Sequence, residues 1–442
     1  MDFRSDKLIC VLLVFAGLGL RLSIPSGAIA AGFTNGAPLK TERYLHTATI
    51  LHDGRVLVLG GISPGLTNRG EVYDPSTATW TETPATLMRY RHSATVLPDG
   101  KVLVAGGIAL DSSAPPVELF DPATGTWTST NGLNVARSSH TATLLPNGNV
   151  LVAGGFGGVG FALTNAELYA PATGTWTNTG SMNKKRGDHT AILRPDGKLL
   201  LMGGADENRS AISVVDVYDP NTGVWTTNGS LNVPGDTYTL LPDGKVLVAG
   251  SSDGSAVGNA ELYDPLTGKS TPTGRLVTAR IGHTATRLPN GRVVIAGGYR
   301  FGILSSAEVY DPLRGEWTST GEMTTNRIWH TATLLVNGNV LVVGGAWGAS
   351  AALATTELYD SLKITVVPLN LSIPNRLPRG AVEFTFTNTP DITFVVWGTT
   401  NLTAPSEWSA LEGLVELSSG QYHFTDLEAT NAPQRFYRVR TP

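Results

Sequence analysis

The chain repeats one unit seven times, and this limits its possible folds more than any other property. A glycine pair recurs at Gly60-Gly61, Gly106-Gly107, Gly154-Gly155, Gly203-Gly204, Gly297-Gly298 and Gly344-Gly345, with Gly250-Ser251 as the variant, at a spacing of 46–49 residues. Each pair follows a turn: Asp53-Gly54, Asp99-Gly100, Asn147-Gly148, Asp196-Gly197, Asp243-Gly244, Asn290-Gly291 or Asn337-Gly338. Asp-Gly and Asn-Gly between β-rich runs signal tight hairpins, because these residues tolerate positive φ. His140–Leu144 and Val150–Ala153 therefore read as the first two strands of a small antiparallel sheet. A third strand carries Tyr73, Phe120, Tyr169, Tyr218, Tyr263, Tyr310 and Tyr359 in register, and a fourth begins at Trp80, Trp127, Trp176, Trp225 and Trp317. Repeats of this length bury their faces against their neighbours.

Four short strands with a glycine pair and a tryptophan at this spacing resemble the kelch repeat over residues 31–362. The resemblance implies an all-β, seven-bladed kelch-type β-propeller, each copy a blade whose first strand lines a central channel. The residues fit that architecture independently. Val150–Ala153 is apolar throughout, as expected of a strand buried on both faces. Glycine pairs admit the neighbouring blade's backbone, and the outer aromatics fill the widening wedge between blades. The seventh copy ends without a tryptophan strand. Phe33 stands 13 residues before His46, as Trp127, Trp176 and Trp317 stand 13 before His140, His189 and His330. Residues 31–36 are therefore expected to complete the last blade and close the ring, which removes exposed sheet edges.

The ends read differently. Arg4 and Lys7, the apolar run Leu8–Leu20 and the small-x-small triplet Ala28-Ile29-Ala30 predict a signal peptide over 1–30. Export to the periplasm, the cell surface or the medium is expected, with no membrane span in the mature chain. Cys10, the only cysteine, lies within that segment. Residues 363–379 are proline-spaced and read as a linker. Residues 380–442 read as a small β-sandwich-like module, with strands at Val382–Thr387, Thr393–Trp397 and Phe436–Val439. A net charge of −4 with dispersed basic residues excludes a nucleic-acid footprint. A monomer is expected.

Binding residues are sought where the copies differ, on the face bearing the second-to-third-strand loops and the blade connections, because rigid scaffolds carry function on variable loops. The candidates are Tyr44, Tyr90, Phe161, Tyr299, Arg300, Trp329 and Trp347. Asp236 and Tyr238 join them from blade five, which lacks the usual histidine, arginine, second glycine and tryptophan. Aromatics beside hydrogen-bonding groups suit a sugar ring. His46, His92, His140, His189, His283 and His330 share one repeat position, with an arginine three residues earlier in each case. Equivalent residues radiate around a ring, so they read as structural groups bonding backbone, and no metal or other cofactor is expected. Glu71, Glu118, Glu167, Asp216, Glu261, Glu308 and Glu357 form a matching ring on the third strands and are expected to pair with those arginines, between or within blades.

The propeller resemblance extends to galactose oxidase-like copper radical enzymes, which implies a tyrosine–cysteine crosslink; a mature chain without cysteine cannot form one. No Ser-His-Asp spacing, phosphate loop or zinc-binding helix pattern is present. The expected function is non-catalytic recognition of a glycan or protein. The alternative is a carbohydrate-active enzyme with its site at the channel mouth, which requires two carboxyl groups about 5–9.5 Å apart.

Overall fold

The computed structural model describes residues 32–360 except 64–67, 110–112, 159, 252–257 and 349–350, together with Leu13–Val14 and the strands between 370 and 440. Gly32–Ser361 is one compact unit. It contains seven four-stranded antiparallel sheets, numbered here as blades one to seven in chain order. Blade three shows the pattern: Thr141–Leu144, Val150–Ala153, Ala166–Ala170 and Thr175–Asn178 pair in sequence order. The first strands adjoin one another from blade to blade, and that of blade seven, Thr331–Leu334, adjoins that of blade one, Thr47–Ile50. The ring is closed.

Closure uses the strand expected from the position of Phe33. Gly32–Asn35 pairs with Thr356–Asp360 and places Phe33 opposite Tyr359, as Trp176 stands opposite Tyr169. The Phe33 and Tyr359 rings lie 5.0 Å apart, matching the 4.9 Å of Tyr169 and Trp176. The two ends of the propeller thus share one sheet.

Second strands such as Val150–Ala153 are buried along their whole length. Leu151 and Ala153 pack against Leu199 and Leu201 of the next blade, with Tyr218 and Trp225 in the same cluster. The glycine pairs have two separate causes. Gly106 and Gly107 hold φ of 62° and 94°, a left-handed region open mainly to glycine. A Cβ on Gly106 would also lie 2.5 Å from the Arg137 carbonyl of the next blade.

Each of six blades is pinned internally by its arginine and acid. Arg137 Nη2 lies 2.6 Å from Glu167, and the other five pairs, headed by Arg43, Arg89, Arg186, Arg280 and Arg327, span 2.5–2.9 Å. Arg137 also donates to the Gly154 and Asn165 carbonyls at 2.8 and 3.0 Å, while Glu167 accepts the Asn134 and Val135 N–H groups. This clip ties the entering connection to the second and third strands of its own blade.

Residues beyond 361, with Leu13–Val14, form a separate unit of antiparallel strands. One sheet contains Asn370–Leu371, Asn375–Arg376, Val382–Thr387, Leu414–Ser418 and Gln421–Asp426. A second contains Val395–Thr399, Ser409–Leu411, Phe436–Arg440 and Leu13–Val14. Apart from those two residues, the export signal read over 1–30 lies outside the described residues, as does most of the linker. Among the described residues no helix is long and apolar enough to cross a membrane.

Candidate binding site

The histidines fasten blades to one another. His92 Nε2 lies 3.0 Å from Thr47 Oγ1 of the previous blade, and His140, His189, His283 and His330 repeat the contact onto Ser93, Thr141, Thr237 and Thr284 at 2.9–3.0 Å. His46 makes the same contact onto Thr331 at 3.0 Å across the join between blades one and seven. The partners are hydroxyls of the neighbouring blade's first strand rather than the backbone groups expected from the sequence. The difference arises because that strand is packed alongside, placing its hydroxyl within reach of the ring. Burial, with the preceding arginine's charge second, lowers His46, His140 and His189 to about 3. They are neutral imidazoles held as structural bolts.

The residue immediately before each histidine carries the opposite character. Leu45, Arg91, Ser139, Asp188 and Trp329 all have φ between 51° and 56°, and Gly282 takes the same conformation at 64°. This geometry is unfavourable for side-chain-bearing residues by roughly 1 kcal/mol or more each. At three of these positions the N–H reaches the preceding blade. Ser139 donates to the Arg91 carbonyl and Asp188 to the Ser139 carbonyl at 2.9 Å, and Leu45 donates to the Trp329 carbonyl at 3.3 Å. These residues precede the first strands that form the ring, so they encircle the channel mouth. Their identities differ from blade to blade inside an otherwise constant context. Sequence reasoning took only Trp329 from this set; the available signal was variation directly beside an invariant histidine.

Around this mouth the structure collects several of the expected residues. Tyr44 stacks on Trp329 with ring centroids 5.7 Å apart and planes 26° apart, leaving Trp329 43% exposed. Backbone bonds join Ile328 to Ala346, so Trp329 and the exposed Trp347 follow two paired residues. On another arc, Arg91 Nη1 lies 3.1 Å from Ser139 Oγ and 3.6 Å from Asp188. Arg91 and Tyr90 border a cleft of about 420 Å³ whose walls include Ser138, Phe156, Glu207 and Arg209.

The remaining candidates lie apart. Tyr299 and Phe161 are exposed on the loops of blades six and three, and Arg300 covers the Phe301 ring at 5.0 Å. Asp236 faces blade six, where its Oδ2 accepts the His283 N–H at 3.3 Å and lies 3.1 Å from His283 Nδ1. Tyr238 turns inward, donating its hydroxyl to the Gly235 carbonyl at 2.9 Å. It occupies the space beneath Gly203 that a histidine fills beneath Gly106. Burial raises its phenol above the ordinary value.

Kelch motif profiles match residues 43–85, 186–231 and 283–324, which fall in blades one, four and six. With seven such blades closed into a ring, the assignment is settled. This chain is a kelch-repeat β-propeller. Its fold is galactose oxidase-like: a fungal alcohol oxidase of the AA5 family, solved in complex with copper, matches with a TM-score of 0.60 and 17% identity, over 92% of this chain and 99% of that one. YjhT matches with a TM-score of 0.49 and 14% identity, over 73% of this chain and 95% of that one. No curated protein sequence matches. The copper chemistry implied by the fold does not fit the residues of the propeller. The six repeat-position histidines already engage Nε2 with threonine or serine hydroxyls of the neighbouring blade.

Proposed function

We propose that this kelch propeller is an exported binding protein that recognises a carbohydrate at its channel mouth. The fold suits a binding or interaction role, and the supporting observation is the Tyr44–Trp329 stack on the same rim as the polar Arg91–Ser139–Asp188 arc. An aromatic platform takes the apolar face of a pyranose ring, and a rim of charged and hydroxyl groups takes its hydroxyls. The mouth residues are set on backbone bonded between blades, so the platform is pre-organised and little ordering cost opposes binding.

A glycan array probed with the full chain, with Trp329→Ala and with Trp347→Ala tests the reading. The wild-type chain is expected to bind a defined glycan set, and Trp329→Ala to weaken it at least about tenfold, as loss of a buried aromatic anchor does. Binding indifferent to both substitutions contradicts the site. Binding to no glycan contradicts the carbohydrate and directs attention to a protein ligand.

A further inference from the structure

Blade five retains the acceptors of the arginine clip without the arginine. In blade three the Arg137 guanidinium donates to four groups: the Val135 carbonyl at 3.2 Å, the Gly154 and Asn165 carbonyls at 2.8 and 3.0 Å, and Glu167 at 2.6 Å. Leu231-Asn232-Val233 repeats Leu133-Asn134-Val135, but the connection that follows is shorter: five positions separate Val135 from His140, and three separate Val233 from Asp236. Gly235 stands where the arginine would be. A Cβ there would lie 2.3 Å from Val248 Cγ1, so position 235 has no space to send in a side chain.

The space the guanidinium would fill is open. A pocket of about 280 Å³ is lined by Val233, Gly250, Asn259 and Glu261, the counterparts of all four acceptor residues, with exposed Arg275 also at its wall. Glu261 is 6% exposed. Among the described residues it accepts the Asn232 and Val233 N–H groups alone, at 3.3 and 3.4 Å, where Glu167 accepts its two at 2.7 and 3.1 Å in addition to the arginine. Among the described residues no cation lies within ion-pair distance of it. A carboxylate withdrawn from water without a counter-charge is unfavourable, and an entering cation relieves that.

We infer that this pocket binds the guanidinium group of an external ligand, with Glu261 taking its charge and the Gly250 and Asn259 carbonyls taking its remaining N–H groups. A planar guanidinium presents donors in a fixed fork that matches a carboxylate flanked by carbonyls, whereas an ammonium does not. Arg275 at the wall favours a ligand whose guanidinium is followed by a carboxylate, as in free arginine. The six occupied clips are internal templates for the bound geometry. This inference is independent of the carbohydrate reading, since the pocket lies inside one blade and uses none of the mouth residues.

Calorimetric titration of the full chain with methylguanidinium, methylammonium, L-arginine and a capped tripeptide with a central arginine tests it. Methylguanidinium and L-arginine are expected to bind saturably, with methylammonium at least about tenfold weaker. Glu261→Gln is expected to lose guanidinium binding, and Arg275→Ala to weaken L-arginine while sparing methylguanidinium. Tighter binding of the capped tripeptide than of L-arginine would support the pocket and make a protein arginine its ligand. Absence of saturable binding by the wild-type chain, equal affinity for methylguanidinium and methylammonium, or unchanged binding by Glu261→Gln would overturn it. So would binding that emerges only in Arg275→Ala, which would make Arg275 the occupant. The methylguanidinium-to-methylammonium comparison uses the wild-type chain alone and stands even if Glu261→Gln does not fold.

Discussion

Glu167 and Glu261 occupy the same repeat position with opposite circumstances, and they give the sharpest test of what a single residue contributes. Glu167→Gln leaves the buried Arg137 without its counter-charge, and breaking a buried pair in this way costs about 3–5 kcal/mol. Glu261 has no arginine to strand, so Glu261→Gln is expected to cost far less in the same urea unfolding experiment. Equal losses would mean that the clip's charge pairing is not what holds the blade. Gly106→Ala tests a different residue-scale constraint. It forces an L side chain into φ of 62° and against the Arg137 carbonyl, and a loss of about 2–3 kcal/mol is expected. A near-neutral result would show that the blade interface yields by sliding.

Between the blades the connecting element is the belt of histidine–hydroxyl bonds, and its protonation gives the propeller a defined acid limit. His46, His140 and His189 hold folded values of about 3 against an ordinary 6.5, and His92 and His330 are also well below it. The unfolded chain therefore binds protons that the folded chain refuses. Stability from these groups is fully present above about pH 6.5 and declines as pH falls toward 3, by up to about 1.4 kcal/mol per group per pH unit. Thermal unfolding temperature is expected to drop steadily from pH 7 to pH 4. A flat profile over that range would contradict neutral, buried imidazoles. This belt was only half legible in the sequence. Repetition of His46, His92 and their counterparts marked them as structural, and the arginine–acid pairing followed from two residue rings in register. The partner hydroxyls could not be read, because Thr47 and His92 meet only when separate blades pack. The mouth residues Leu45, Arg91, Ser139 and Asp188 escaped for a related reason. Their shared left-handed backbone goes with bonds between neighbouring blades, and no common residue type announces it.

At the scale of the molecule, most of the architecture was legible because it is built from local signals that recur in six or all seven copies: a tight turn, an apolar strand, a glycine pair and an outer aromatic. Phe33 shows how far counting alone reaches, since its 13-residue spacing from His46 identified the strand that closes the ring across the whole chain. Blade five shows where counting stops. Its missing arginine was visible, but the pocket left by four retained acceptors emerges only once the shortened connection is placed. Everything proposed at the mouth depends on the ring being closed, because the Leu45–Trp329 bond and the Tyr44 stack both bridge blades one and seven. The most direct test is the thermal unfolding temperature of the chain with residues 31–36 deleted. Loss of the closing strand is expected to lower it by about 5 °C or more, equivalent to at least about 3–4 kcal/mol in a domain of this size. An unchanged unfolding temperature would contradict closure by Gly32–Asn35, and with it the bridged mouth.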